Sequence, residues 1–373
     1  MRSEHLNKDG IILVACRDTG AANELAAFVK LCREEISVSL GTLCVGPAVD
    51  VFKEAGITPT MEFTHELDCL EVHQALDRLQ PKVIILGTSH DSWTERFILE
   101  YGRDQGIYCL GVVDWWSNFG RRFSTPGTGD LRYLPDAICI MDEDARQGCI
   151  ADGISSTLLH VVGNPYWDYL LTISDEVRRT TRMKVREKLG IPNGAVLVLA
   201  ISSNLRNLNL DLGYDETDFW RAIIPLPNET TDGRPIIWSV KPHPREQRHD
   251  LETMLDIYDA RPLFIEGFSA FEAVNAADYI IGMCSSVLFE AALLGKPVVS
   301  LQPGVTESKL DFLRIFDHLE IPKIIREHEA RDIVYQLING RIPCPNLNKV
   351  PFKVEENNAY NALLNLLPVT QQC

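Results

Sequence analysis

The chain has 373 residues, 45% of them hydrophobic and 24% charged, with a formal net charge of −16. That length exceeds one ordinary core and suits two domains, and the composition is that of a soluble globular protein. The acidic balance argues against a nucleic-acid surface, which needs clustered Lys and Arg, but permits a local site for a phosphate-bearing small molecule.

The ten cysteines form no C-x-x-C pair, which argues against a zinc ribbon or a thioredoxin motif. Several stand in apolar runs, as Cys109 does in "YCLGVV" and Cys139 in "AICIM", and read as buried free thiols in a reducing compartment. The opening "MRSEHLNKDG" is polar and shows no secretory signal, and no apolar stretch approaches the roughly 20 residues of a membrane helix. A cytoplasmic location is the expectation, and the sequon at Asn228 reads as chance.

The first half alternates strand and helix signals. "GIILVAC" (10–16) is a continuous apolar run, as a strand buried on both faces requires, and 20–35 has helical spacing. A strand over 37–46 follows, then a short helix over 47–56 with Pro at its start and Gly at its end. A strand near "PTMEF", a helix over 65–80 stopped before Pro81 and the strand "KVIILGTS" (82–89) come next. A helix over about 91–105 and the strands 108–116 and 136–144 complete the series. The charged stretch 174–194 reads as a helix capped by Gly190, and a domain boundary is placed there.

A second series opens with "AVLVLAIS" (195–202) and continues with strands at 235–241, 262–267, 278–283 and 296–301. Helices are predicted over 269–277 and 285–295. The polar segment 203–219 reads as an insertion over a cleft, and "NNAYNALLNLL" (357–367) as a tail helix. The expected organisation is an α/β protein of two doubly wound, Rossmann-like domains facing a cleft: residues 1–175, residues 190–345, and a tail over 346–373 packing back on the first.

In parallel sheets ligands bind beyond the carboxyl ends of the strands, so residues there are the candidates. His243, between Pro242 and Pro244, ends a second-series strand in a restricted backbone, where an imidazole suits a phosphate oxygen or a simple turn cap. Lys241 adds local positive potential. Ser285 and Ser286 open a helix after a buried strand, an arrangement that serves as a helix cap or as an anion site. Glu290, one turn on, is a candidate for ribose hydroxyls or an ordinary helix carboxylate.

In the first series, "CRDTG" offers Asp18 as a general base or an Asx turn, with Gly20 allowing close approach of a ligand to the backbone. Asp114 ends another buried strand, followed by Trp115 and Trp116, suited to stacking on a sugar or to core packing. Arg121 and Arg122 are candidates for an anionic substrate or for the plain surface. The adjacent trio Ser89, His90 and Asp91 invites a hydrolase triad, but neighbouring residues rarely converge on one point.

The run "VVGNPYWDYL", "KPHPRE" and "AADYIIGMCSSVLFEAALLGKPVVS" resembles nucleotide-sugar glycosyltransferases of the GT-B type over about residues 160–305. Within that class the His-Pro and Ser-Ser pair is most similar to bacterial sialyltransferases and polysialyltransferases, capsule Kdo transferases and CDP-glycerol transferases. The resemblance implies that His243, Ser285 and Ser286 contact the donor phosphate and Glu290 the ribose, with the base in the N-terminal domain. Where the sialyltransferases carry an acidic-acidic-Gly motif this chain has "RDTG", so Asp18 matches in part and Asp114 is the reserve.

The expected activity is therefore metal-independent, inverting glycosyl transfer with no cofactor. The sugar would pass from a nucleotide donor, CMP-linked by preference, to a glycan or lipid-linked acceptor at the cytoplasmic membrane face. A UDP-N-acetylglucosamine 2-epimerase-like isomerase and a non-catalytic nucleotide-sugar-binding subunit are the alternatives.

Overall fold

The computed structural model describes residues 11–35, 39–208, 212–307, 316–347 and 358–368. The chain divides into two compact units, Met1–Tyr169 with Phe352–Cys373, and Leu170–Pro351.

The N-terminal unit is built on seven strands: β1 (Ile11–Cys16), β2 (Leu40–Val45), β3 (Met61–Phe63), β4 (Pro81–Gly87), β5 (Tyr108–Val112), β6 (Ala137–Ile140) and β7 (Leu159–Val161). All pair in parallel, in the order β3-β2-β1-β4-β5-β6-β7. β7 escapes sequence prediction because three residues carry too little periodicity. The intervening helices are α1 (Thr19–Glu35), α2 (Pro47–Glu54), α3 (Cys69–Leu79), α4 (Trp93–Gln105), α5 (Phe119–Arg122) and α6 (Glu143–Ala151), and α7 (Pro165–Thr172) follows β7.

The unbroken apolar strands are explained by two covered faces. Ile12, Val14, Val83 and Ile85 pack with α1 and α2, while Leu13, Ala15, Ile84 and Leu86 pack with α3 and α4. The tail helix, Asn358–Asn365, adds Tyr360 and Leu363 to the first of these cores. Asp168 accepts the Ala359 N–H at that helix's first turn, at 2.8 Å, and burial pushes its carboxyl up to about 6.

The C-terminal unit has six strands: β8 (Val196–Ile201), β9 (Ile236–Lys241), β10 (Leu263–Phe264), β11 (Tyr279–Gly282), β12 (Val298–Leu301) and β13 (Lys323–Ile324). They too are parallel, in the order β10-β9-β8-β11-β12-β13. α8 (Asp175–Lys188) packs on α12 (Ala270–Ala276), whose last carbonyls need partners. Arg182, Arg186 and Lys296 supply them at Asn275, Ala276 and Ala277, and Asp278 balances the arginines. The described part of the polar segment 203–219 folds as α9 (Leu205–Leu208) and α10 (Glu216–Ile223), and residues 209–211 lie outside the described residues.

The fold class is the expected one, two doubly wound Rossmann-like units. In each sheet the strand order reverses once, between β1 and β4 and between β8 and β11. Those two switch points are where such sheets bind ligands.

Candidate functional site

At the first switch point, the loops after β1 and β4 are tied together by a carboxylate that sequence reasoning missed. Glu95, in the first turn of α4, is 3% exposed and turns its side chain back to the strand ends. It accepts the Arg17 N–H at 3.2 Å and the Ser89 N–H at 2.6 Å. Burial, with Asp18 as a second negative charge nearby, pushes its carboxyl up to about 7. In sequence Glu95 is an ordinary first-turn helix acid, and nothing marks it out.

Asp18 lies beside that carboxyl, paired with Arg17 at 3.3 Å, and Arg17 also reaches Asp91 at 3.2 Å. Asp114 is clamped by Arg122, 2.8 Å away, with the guanidinium 7% exposed. Arg122 also donates to the carbonyls of Thr88 and Ser117, locking the Asp114–Ser117 loop to the end of β4. Of the two adjacent arginines, Arg121 is exposed and Arg122 is buried.

Gly20 has its own reason. A Cβ there would stand 2.0 Å from Asp114 Oδ2, so the missing side chain lets the carboxylate lie against the first turn of α1. Gly20→Ala is expected to displace Asp114 from Arg122 and to lower unfolding free energy by about 1–3 kcal/mol. Chemical denaturation checks this, and wild-type stability would show that the carboxylate moves aside without cost.

Trp115 is half-buried and meets Trp116 edge-on, while Trp116 stacks on Trp167 and donates to Asp142 at 2.8 Å. The Ser89–His90–Asp91 trio makes no triad: the Ser89 hydroxyl is buried without a hydrogen bond, and Asp91 faces Arg17.

At the second switch point the strand ends carry hydrogen-bond donors. His243 accepts the Arg245 N–H on Nδ1, at 3.1 Å, so the neutral ring carries its proton on Nε2. Burial, aided by the Arg245 charge, pulls the imidazole down to about 4. His243 is thus a neutral donor at physiological pH rather than a cation. Its own N–H is held by Glu246 at 3.2 Å.

Ser285 is the N-cap of α13 (Ser286–Leu293), accepting the Val287 N–H at 3.3 Å, and Ser286 is the first helical residue. Glu290 is 5% exposed, so it is not a solvated helix carboxylate. Lys241 reaches the Phe268 carbonyl at 2.6 Å. Ser202 and Ser203, directly after β8, are buried with hydroxyls that make no well-formed hydrogen bond. They follow the end of β8 by one and two residues, as Ser285 follows the end of β11 by three, and the same rule of strand ends would have found them.

No protein-family model matches the sequence, and no curated protein matches it. Solved structures match in fold. The UDP-GlcNAc 2-epimerase of Methanocaldococcus jannaschii superposes with a TM-score of 0.66 at 14% identity, over 95% of this chain and 99% of its own. The Neisseria meningitidis UDP-GlcNAc 2-epimerase bound to UDP-GlcNAc gives 0.64 at 13% identity, over 95% and 98% of the two chains. Staphylococcus aureus MnaA with UDP gives 0.65 at 14% identity, over 96% and 98%. The shared fold is of the GT-B type.

These neighbours correct the expected activity. They include isomerases from several organisms, and the expectations of a glycosyltransferase, of a CMP-linked donor and of kinship with sialyl- and Kdo transferases fall with that finding. The physical reason lies in what the motifs report. His-Pro and a serine-opened helix suit a phosphate at a strand end, which any enzyme of a nucleotide sugar needs on this fold. Neither motif reports what happens at the sugar.

Among the described residues no helix is long and apolar enough to cross a membrane, and no group of three or more His, Cys, Asp or Glu could hold a metal.

Proposed function

We propose that the chain is a nucleotide-sugar isomerase of the 2-epimerase kind, acting on a UDP-linked N-acetylhexosamine. The observation that carries this reading is the fold, shared over 95% of the chain with UDP-GlcNAc 2-epimerases that hold UDP-GlcNAc or UDP. The site chemistry supports it. Inverting C2 of a UDP-sugar takes a proton from one face and returns a proton to the other, the C–H electron pair forming a C1–C2 double bond as UDP leaves and being recovered as UDP adds back, so it needs acid–base groups that change state near neutrality. The first switch point supplies a carboxyl poised at about 7, Glu95, beside Asp18.

In this reading Asp18 is the leading base and Asp114 the reserve, because the arginine pair that holds Asp114 is shorter and more buried, 2.8 Å against 3.3 Å. In the same reading Trp115 and Arg121 serve the sugar. His243, Ser285, Ser286 and Lys241 serve the diphosphate and Glu290 the ribose. An isomerase needs no glycan or lipid-linked acceptor, and no cofactor or metal is assigned.

A second reading, a nucleotide-sugar-binding subunit without turnover, is favoured by one observation: both aspartates are held in ion pairs with arginines. One experiment separates the two. UDP-N-acetylglucosamine is incubated with the protein in D2O, without acceptor, and followed by NMR. Formation of the manno epimer with deuterium at C2 is the expected outcome. Binding with no epimer and no deuterium would select the second reading, and absence of binding would sink both.

A further inference from the structure

We infer that the paired hydroxyls of Ser202 and Ser203, at the end of β8, are donors to the diphosphate of a nucleoside-diphosphate ligand. This deepens the reading of the C-terminal unit as a nucleotide-sugar site and rests on it.

Both serines are more than nine-tenths buried, 6% and 7% exposed, and neither hydroxyl makes a well-formed hydrogen bond, Ser202 facing the Glu246 carboxylate and Ser203 the Cys284 thiol. A buried hydroxyl without a well-formed hydrogen bond is destabilising, so two in succession are a standing penalty unless something else completes them. Other buried serines in this unit do not behave this way. Ser239 donates to the Val198 carbonyl at 2.9 Å, and Ser300 to the Met283 carbonyl at 2.6 Å.

Their placement names the missing partner. Both serines stand just past the end of β8, whose neighbours in the sheet are β9 on one side and β11 on the other. Ser202, whose N–H is bonded to the Lys241 carbonyl, lies by Glu246, the carboxylate that holds the His243 loop. Ser203 lies by Cys284, the residue before the N-cap of α13. One flank therefore carries the His243 donor and the other the helix mouth. Apart from the Glu246 carboxylate, which is occupied by the His243 N–H, the features gathered around the β8 end are N–H and O–H donors and a helix N-terminus, which calls for an anion. Two flanks suit an anion with two phosphoryl groups.

Titration calorimetry of the full chain with UDP and with inorganic pyrophosphate, beside ligand-free melting, tests this. Ser202→Ala and Ser203→Ala are each expected to weaken both ligands about tenfold or more, the range for a hydrogen bond to a charged group. Their ligand-free melting temperatures should stay level or rise, because an unsatisfied hydroxyl has been removed. Ser239→Ala is the control: it should lower the melting temperature and leave both affinities alone.

Affinities within twofold of wild type in both variants would overturn the inference. So would weakened binding accompanied by a fall in ligand-free melting temperature, the mark of a structural role. Wild-type binding of pyrophosphate but not UDP, lost in the variants, would uphold the hydroxyls' role while removing the nucleotide-sugar reading. Wild-type binding of neither would remove both.

Discussion

Arg122→Ala is expected to destabilise the N-terminal unit by about 3–5 kcal/mol, the range for breaking a buried ion pair from one side. The guanidinium is 7% exposed and neutralises Asp114 at 2.8 Å, while the same nitrogen, Nη1, meets the Thr88 carbonyl at 2.8 Å. Removing it strands a carboxylate that lies against α1 and frees two strand-end loops from each other. Glu24, buried nearby and already pushed well above the ordinary range by burial and by Asp114, would lose a favourable charge as well.

The double variant Arg122→Met with Asp114→Asn separates charge from packing. It removes both ions and fills part of the volume, so it should recover at least half of the loss. Urea unfolding followed by fluorescence measures both. If Arg122→Ala unfolds within 1 kcal/mol of wild type, the pair is not the anchor described.

Glu95→Gln is expected to change the pH dependence of stability more than its level at any one pH. Glu95 is raised from an ordinary 4.5 to about 7, so the folded chain holds this proton through a window in which the unfolded chain has lost it. Stability from this group is present below about pH 4.5 and is lost as pH rises through 7. A rise of that size corresponds to about 3 kcal/mol. The amide cannot ionise, so variant stability relative to wild type should climb by about 3 kcal/mol between pH 4.5 and pH 8.

A fixed offset will accompany the climb. A carboxamide has one acceptor oxygen, while Glu95 meets two backbone N–H groups, so the variant's NH2 must face one of them. Asp168 titrates in an overlapping range, and taking the variant-minus-wild-type difference cancels its contribution. Denaturation curves at four pH values suffice. A pH-independent difference would mean that Glu95 is ionised throughout and that its burial is compensated.

Much of the architecture was legible without coordinates. Continuous apolar runs such as "IILVAC" and "VLVLAI" demand strands covered on both faces, and their alternation with helical spacing leads to two doubly wound sheets. Looking just beyond each strand then singles out Asp18, Asp114, His243 and Ser285, all of which stand at strand ends. The choice between transfer and isomerisation was not legible, because a strand end suited to a phosphate serves either chemistry.

The sequence by itself determined the strand–helix periodicity, and through it the fold class and the carboxyl ends of the strands, where sheets of this kind bind ligands. Only the tertiary structure decided which charged and polar groups matter at those edges. It selected Arg122 over Arg121, gave Gly20 its reason in Asp114, placed the His243 proton on Nε2, and left Ser202 and Ser203 unsatisfied. The difference is physical. Hydrophobic patterning is written between residues a few positions apart, whereas ionisation and hydrogen-bond satisfaction depend on desolvation and on partners distant in the chain. Glu95 shows this most plainly: its carboxyl is set by a backbone N–H 78 residues away and by the core that closes over both.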